Sequence, residues 1–588
     1  MAINALRRIV SRLSRFDLFL ILCVFASAIK LTYKIETIVD IILSDESYYL
    51  YNGVNLIKQG FPVAEWAPFY AIWYWLLSLV EPSKDNVNLY FLNHKLLIAL
   101  TATMLYVALR SLGCNRLITT ITAFIYLISG IPVIWPRPTH FALLLILLFI
   151  TIQTYLRAEI FFYYVLSLTL LSVSYVRPEY FVSFLVISIA IFILEIRTIF
   201  FTSPRGKTSS YRRLLLYTAC FIALIALLGM PTSSGNRSWW AFASHFALRW
   251  TWQNKTDLDP WVDYQQITAS VFGHANTIFA AMWVNPGAFF AYLFENLKGY
   301  FENTLSIFDD SLKDNSPSLN DLNPTLNLIV RFGELAIVLL ACVQIFRHYR
   351  SRIKQDHFRT LIRLLVIVFF VELSVIPASI IIFPRYHYLI IHVVLLYVLL
   401  AFMLSKTLKG EAWNLDFKQT VVTGFLLLLL TPTLAQGWCL ANICLFQRQQ
   451  FPARPNLETI YLLRSLKIKQ PVNVLAFDIE YRTFLGDRYH RIDPASKTSG
   501  FSSFMRQNEI EMVIVSAELK QDVRLMADQE WNAFLRDYAS LDYQRLEVPH
   551  TERSLLVRRK LLSSHSLPQA TIQSPDPTLT SKTSKVLR

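Results

Sequence analysis

Runs of about 20 apolar residues, long enough to cross roughly 30 Å of hydrocarbon as a helix, recur along this chain. About eleven can be marked by that length. They fall near Phe16 to Tyr33, Tyr90 to Leu109, Leu117 to Ile134, Phe141 to Leu156, Phe161 to Val176, Tyr180 to Leu194, Leu214 to Met230, Leu326 to Phe346, Leu361 to Phe383, Tyr388 to Leu404 and Val421 to Leu440. Few folds are open to such a chain, because in lipid every backbone N–H and C=O must find its partner inside the protein. The predicted class is mainly α, a polytopic transmembrane helix bundle. Composition points the same way: 54% of the 588 residues are hydrophobic and 16% charged, and the mean hydropathy is +0.40. No soluble domain of this length carries so apolar a surface.

The net charge of +15 does not form the basic stripe with interleaved aromatics that a nucleic-acid binder needs, so no nucleic-acid partner is expected. The basic residues sit instead in short runs between apolar segments, as the positive-inside rule requires. Arg7, Arg8, Arg12 and Arg15 precede the first span, which predicts a cytoplasmic N-terminus. No small-residue cleavage site follows, so this span reads as a retained anchor. Arg110 and Arg116, Arg157, RTIFFTSPRGKTSSYRR, RHYRSRIKQDHFR and SKTLKGEAWNLDFK then become inner loops. The Asp45 region, WPRPTH, RPEY, the segment 231–323, PRYHY and everything after Leu440 become outer ones. The outer loops 35–89 and 231–323 are long and chemically varied, which puts the working surface outside the cytoplasm.

Residues 1–440 thus read as one membrane module. From 441 to 562 the composition changes, with helices in LETIYLLRSLK and QEWNAFLRDYA and strands in VNVLAFD, MVIVSA and SLLVRR, which predicts a small α/β extracytoplasmic domain. Residues 563–588 are Ser, Thr and Pro-rich and read as a disordered tail. The six cysteines form no CxxC pair, and no P-loop, GxGxxG or HExxH motif occurs.

Chemistry is most densely signalled at Asp45 and Glu46, in SDESYYLYNG just beyond the first span. Ionisable groups at a membrane boundary mark sites, and a carboxylate there can take the proton of an attacking hydroxyl. Asp and Glu at a helix start also complement its dipole, so capping explains the pair as well. Arg137 in WPRPTH, Arg177 in VRPEY and Arg385 in PRYHY fall at predicted outer span ends, against the positive-inside trend. Guanidinium groups suit phosphate oxygens, although a single arginine at a span end can simply reach for the interface. One base for an acceptor and cations for a departing phosphate would serve a transferase acting on a lipid-linked sugar. The Trp and Tyr residues of RSWWAFASHFALRWTWQNKTDLDPWVDYQQ could hold a sugar or prenyl chain, or form an interfacial belt.

DESYYLYNGVNLIKQG followed by PFYAIWYWLLSL, with RPE after the fifth span and PRYHYL before the tenth, resembles the GT-C glycosyltransferases. More narrowly it resembles the bacterial branch related to protein O-mannosyltransferases and lipid A aminoarabinose transferases. The resemblance covers about Phe16 to Leu440. It implies Asp45 as catalytic base, Glu46 as an orienting or alternative carboxylate, and Arg385 with Tyr386 on the donor phosphate. Arg137, Arg177, Arg237, Arg249 and Lys298 are further candidates for that contact. The implied reaction is inverting transfer of a sugar from a polyprenyl-phosphate donor to a lipid, glycan or protein acceptor outside a bacterial inner membrane. Many members of the superfamily carry a second acidic residue in the second outer loop, and WPRPTH has none. No cofactor is expected and a divalent metal is not favoured; His140, His387 and His392, which could otherwise be ligands, are scattered singly and read as interface or packing residues. A transporter or flippase of a lipid-linked glycan, or a scaffold without catalysis, would also fit a membrane bundle. Glu372, within the ninth span, is the main charge that such a transporter reading can use.

Overall fold

The computed structural model describes residues 13–562 except 38, 157, 202–203, 233–236, 257, 309–354, 408–414 and 438–453. The expected span from Leu326 to Phe346 and the expected tail 563–588 lie outside the described residues. The chain divides into two compact units, Met1–Pro452 and Ala453–Arg588.

The first unit is helical. Its helices are α1 (Arg15–Leu31), α2 (Asp45–Val54), α3 (Pro68–Val80), α4 (Asn86–Ser111), α5 (Arg116–Ile128), α6 (Pro138–Gln153), α7 (Glu159–Ser174), α8 (Phe181–Phe201), α9 (Pro204–Leu228), α10 (Arg237–Asn254), α11 (Tyr264–Phe272), α12 (Ile278–Val284), α13 (Pro286–Phe308), α14 (Gln355–Ile381), α15 (Tyr386–Thr407) and α16 (Phe417–Gly437). Among the described residues, six helical segments are long and apolar enough to cross a membrane: Arg15–Thr37, Asn86–Ser111, Pro178–Phe201, Thr208–Leu228, Phe358–Ile381 and Tyr386–Lys406. The other described spans expected from the sequence are shorter apolar helices: Arg116–Ile128, Pro138–Gln153, Glu159–Ser174 and Phe417–Leu430. Local chemistry sets two of those limits. α5 stops at Ser129, before Gly130 and a 3-10 turn containing Pro132, and α6 can begin only at Pro138; proline starts helices readily and continues them badly.

Polar contacts tie the helix ends together at two opposite ends of the bundle. At one end Asp17 closes a capping box with Ser14 and accepts from Arg110 Nε at 2.8 Å and Arg116 Nε at 3.3 Å. This joins the start of α1, the end of α4 and the start of α5. Lys406 Nζ donates to the Gly113 carbonyl at 2.8 Å and Arg116 to that of Leu415 at 3.1 Å, which brings the end of α15 and the approach to α16 to the same end. At the other end the Arg137 backbone N–H donates to Glu46 at 2.9 Å, the Phe69 N–H to the Tyr175 carbonyl at 3.3 Å, and the Tyr175 hydroxyl to the Gly229 carbonyl at 2.8 Å. The starts of α2, α3 and α6 and the ends of α7 and α9 therefore meet there.

Helices α2 and α3 lie against each other at that second end, and Gly53 is what lets them approach. A β-carbon on Gly53 would collide with that of Tyr74 and stand 2.9 Å from the Ala71 carbonyl oxygen. Helices α10 to α13 share an aromatic core of Phe242, Phe246, Phe272, Phe289 and Tyr292.

The second unit holds a five-stranded sheet in the order β2-β1-β3-β5-β4. Strands β1 (Val472–Leu475), β2 (Tyr489–Ile492) and β3 (Ile510–Val515) are parallel, and β4 (Tyr543–Glu547) and β5 (Ser554–Arg558) complete it antiparallel. Leu475, Val513, Val515 and Leu556 pack against Phe501, Trp531 and Phe534 to form its core. Three strands and the helices α17 (Pro455–Ser465) and α19 (Gln529–Arg536) match the sequence expectation. Helix α18 (Phe501–Gln507) and strands β2 and β4 are additions.

Candidate functional site

Asp45 and Glu46 both occupy the first turn of α2, but consecutive residues on a helix point about 100° apart, and their surroundings diverge completely. Glu46 is 0% exposed. Its Oε1 accepts from the Tyr70 hydroxyl at 2.7 Å and the Tyr74 hydroxyl at 2.5 Å, and its Oε2 accepts the Arg137 backbone N–H at 2.9 Å. Tyr70 and Tyr74 stand at i and i+4 on α3, so both phenols reach the same carboxylate. Asn93 on α4 completes the group: its amide nitrogen lies 2.7 and 2.8 Å from the two phenol oxygens and 3.2 Å from Glu46 Oε1. The Asn93 carbonyl oxygen in turn accepts from Trp73 Nε1 at 2.8 Å. Burial lifts the Glu46 carboxyl above its ordinary range, and the phenols and Arg137 pull it only part of the way back.

Arg137 is buried as well, and its guanidinium is turned inward. One nitrogen donates to the carbonyls of Pro132 at 2.6 Å and Ile134 at 3.1 Å, and another stands 3.3 Å from His94 Nδ1. His140 contacts the same Ile134 carbonyl at 2.9 Å. These groups brace the α5–α6 turn against α2.

Asp45 is half-buried on a neighbouring face of α2, and its carboxylate makes no hydrogen bond or ion pair among the described residues. One turn along, Tyr49 is buried and within electrostatic reach of Asp45, Arg237 and Arg177. Burial first, then the Asp45 charge, raises the Tyr49 phenol above its ordinary value, against the pull of the two arginines. Arg237 lies 4.3 Å from the Trp66 ring and donates to the Glu65 carbonyl. Arg177 pairs with Glu179 at 2.8 Å and stacks over the Tyr388 ring at 4.7 Å. Burial alone would lower the Arg177 guanidinium; the Glu179 carboxylate and the neighbouring phenols more than offset it, and the group is raised.

Tyr388 belongs to the first turn of α15, beside the other arginine of the sequence reading. Arg385 is half-buried, 5.4 Å from the Trp261 ring, and its guanidinium has no ion pair or hydrogen bond among the described residues. Tyr386 is half-buried and opens α15, and His387 is buried next to it, within reach of the charges of both Arg177 and Arg385. Arg249 is committed to Glu295 at 3.3 Å and the Phe383 ring at 5.5 Å. Lys298 is exposed, 3.8 Å from Glu302. His392 contacts Glu372 inside the bundle.

The structure thus brings Asp45, Arg177 and Arg237 together around Tyr49, joins Arg385 to them through Tyr388 and His387, and draws Glu46 and Arg137 into a separate buried brace. Tyr49, Tyr388, Trp66, Glu179 and Trp261 were not singled out from the sequence. The i, i+4 spacing of Asp45 and Tyr49 and of Tyr70 and Tyr74 was the available signal. Chemically, a carboxylate without a partner can accept a proton from a hydroxyl, and the surrounding guanidinium groups can hold an anion. Among the described residues no three His, Cys, Asp or Glu side chains gather to hold a metal ion. No protein-family model matches the chain, and no curated protein matches it.

Proposed function

We propose that this protein is a membrane glycosyltransferase of the GT-C type, which moves a sugar from a polyprenyl-phosphate donor to a hydroxyl acceptor at the extracytoplasmic face with inversion. The observation that carries this reading is the half-buried Asp45 carboxylate, free of any partner among the described residues, beside a group of arginines. As the acceptor oxygen bonds to the anomeric carbon, its proton passes to Asp45, and the bond from that carbon to the phosphate oxygen breaks. The departing polyprenyl phosphate keeps the electron pair, and Arg177, Arg237 and Arg385 offset its charge. A phosphate leaves without needing a proton, so one carboxylate suffices. Glu46, held from several sides, serves to fix the α2 turn on which Asp45 stands.

The same reading takes the bundle as eleven crossings of a bacterial inner membrane, with the N-terminus cytoplasmic and the residues after α16 outside. The test is turnover of radiolabelled polyprenyl-phosphate sugars by purified protein in lipid, with the label's release from lipid phosphate followed. Asp45→Asn should cut turnover by about a thousandfold or more, a loss of the size that an essential general base supplies, while donor binding persists. Wild-type turnover in the Asp45→Asn variant would sink the assignment. The second reading, movement of a lipid-linked glycan across the membrane, draws on the intramembrane Glu372–His392 contact. Under it no donor is cleaved, and Glu372→Gln rather than Asp45→Asn abolishes movement of the lipid-linked glycan.

A further inference from the structure

Arg385 closes the turn between α14 and α15, and nothing among the described residues holds its guanidinium by a hydrogen bond or ion pair. Apart from the Trp261 ring 5.4 Å away, its position is set by the backbone of that turn. The turn has a deficit built into its sequence. A helix leaves its last carbonyls without donors, and the N–H that would return to the Ile380 carbonyl belongs to Pro384, which has none.

Helix α13 supplies what is missing. Asn296 Nδ2 donates to the Ile380 carbonyl at 2.8 Å, the Tyr292 hydroxyl donates to that of Ile382, and the Asn303 amide to that of Pro384. Between them Gly299 lies so close that a β-carbon would stand 2.9 Å from Pro384 Cγ. Tyr300 extends the row, 3.1 Å from Glu372 Oε2 on α14 and 3.3 Å from His392 Nδ1 on α15. Residues 292, 296, 299, 300 and 303 share one face of α13 by helical spacing. Asparagine is a poor helix former, and both of these sit within a helix with their amides on the carbonyls of the turn.

We infer that this stripe on α13 is the positioning element for Arg385: it holds the α14–α15 turn by its unpaired carbonyls and so sets where the guanidinium meets the lipid phosphate. The inference rests on the reading of Arg385 as a donor-phosphate contact. Tyr292, Asn296, Gly299 and Asn303 act through the turn and touch no substrate. The Glu372–His392 contact then anchors the same three helices deeper in the bundle.

The experiment measures binding of a sugar-free polyprenyl phosphate, with the matching polyprenol as control, to the full-length protein in lipid nanodiscs. Arg385→Ala and Asn303→Leu are each expected to raise the Kd for the phosphate about tenfold, the scale of one hydrogen bond to a charged group, and to leave the polyprenol unaffected. Asn303→His, which restores an N–H donor, should recover most of the loss. On an Arg385→Ala background, Asn303→Leu should add nothing, because the turn matters to the phosphate only through Arg385. Should Asn303→Leu not fold, Gly299→Ala displaces the same turn by contact with Pro384 and is read in the same way. If Arg385→Ala leaves the Kd unchanged, the phosphate reading of Arg385 itself fails. If Arg385→Ala weakens binding but the α13 variants do not, or if their full loss persists without Arg385, the positioning role is overturned and the donor reading stands.

Discussion

A carboxylate that takes hydrogen bonds from two phenols and a backbone N–H out of reach of water, as Glu46 does, makes folding depend on its protonation. Burial lifts its pKa above the ordinary 4.5 despite those donors and Arg137, so the folded protein holds that proton more tightly than the unfolded chain. The resulting contribution to stability is complete below the ordinary value and is lost as pH rises through the folded-state value. Glu46→Gln has no proton to lose, and its thermal midpoint, followed from about pH 4 to about pH 8, should lack that decline. Parallel profiles for the two proteins would show that Glu46 does not change its proton occupancy on unfolding. Glu46→Ala removes the shared acceptor and strands the Tyr70, Tyr74 and Arg137 donors, which should cost about 3 kcal/mol or more. At this scale the sequence marked the acidic pair but not its division of labour. Which of two adjacent residues faces inward depends on how α2 is rotated against α3, and that rotation is decided by partners 24 to 91 residues away.

The α2–α3 pair carries the next consequence. Gly53 is buried against α3, with the backbone of Ala71 and the β-carbon of Tyr74 where its own side chain would be. Gly53→Ala should push the two helices apart and destabilise the protein by about 1–3 kcal/mol, as overpacking does, although alanine is the better helix former. Because Glu46 depends on Tyr70 and Tyr74, the displacement should also reduce turnover in the proposed transfer reaction. Unfolding and turnover measured on one preparation would separate the proposal from a simple propensity effect, which predicts a more stable variant. Elements of this kind were legible where a pattern repeats. The apolar runs located α1, α4 to α9 and α14 to α16, and VNVLAFD, MVIVSA and SLLVRR located three strands, whereas α10 to α13 lie in the stretch 231–323 that reads as a loop. Strands β2 and β4 were not legible: YHRI and YQRLE are largely polar, and both lie at the edges of the sheet, where burial leaves no apolar mark. The lengths of α5 to α7 were not legible either, since apolar character continues past the last helical residue into residues such as Ile131 and Ile134, which are themselves packed inside.

For the whole molecule, the contacts at helix ends bear on the number of crossings more strongly than helix length does. α5 has only 13 residues, about 20 Å of rise at 1.5 Å per residue, yet it starts beside Asp17 and leads to the turn that reaches Glu46. α1 and α4 connect those same two ends. A short helix that joins the same ends as two long ones, with a packed turn completing the distance, fits a crossing with local mismatch. α6 and α7 repeat the argument: Arg363 on α14 takes both the Gln153 carbonyl at 2.9 Å and Glu159 at 3.1 Å, while Arg137 and Tyr175 stand at the Glu46 end. The two counts differ in outcome. If only the six long segments cross, five follow Asp45, and the residues after α16 finish on the face opposite to it. If the short helices and the run from Leu326 to Phe346 cross too, ten follow, and both lie on one face. A reporter enzyme active only outside the cytoplasm, joined after Gly60 in one fusion and after Ser465 in another, reads this parity directly. Activity in both is expected; activity after Gly60 with silence after Ser465 would leave α16, which starts at the Asp17 end, short of the far side.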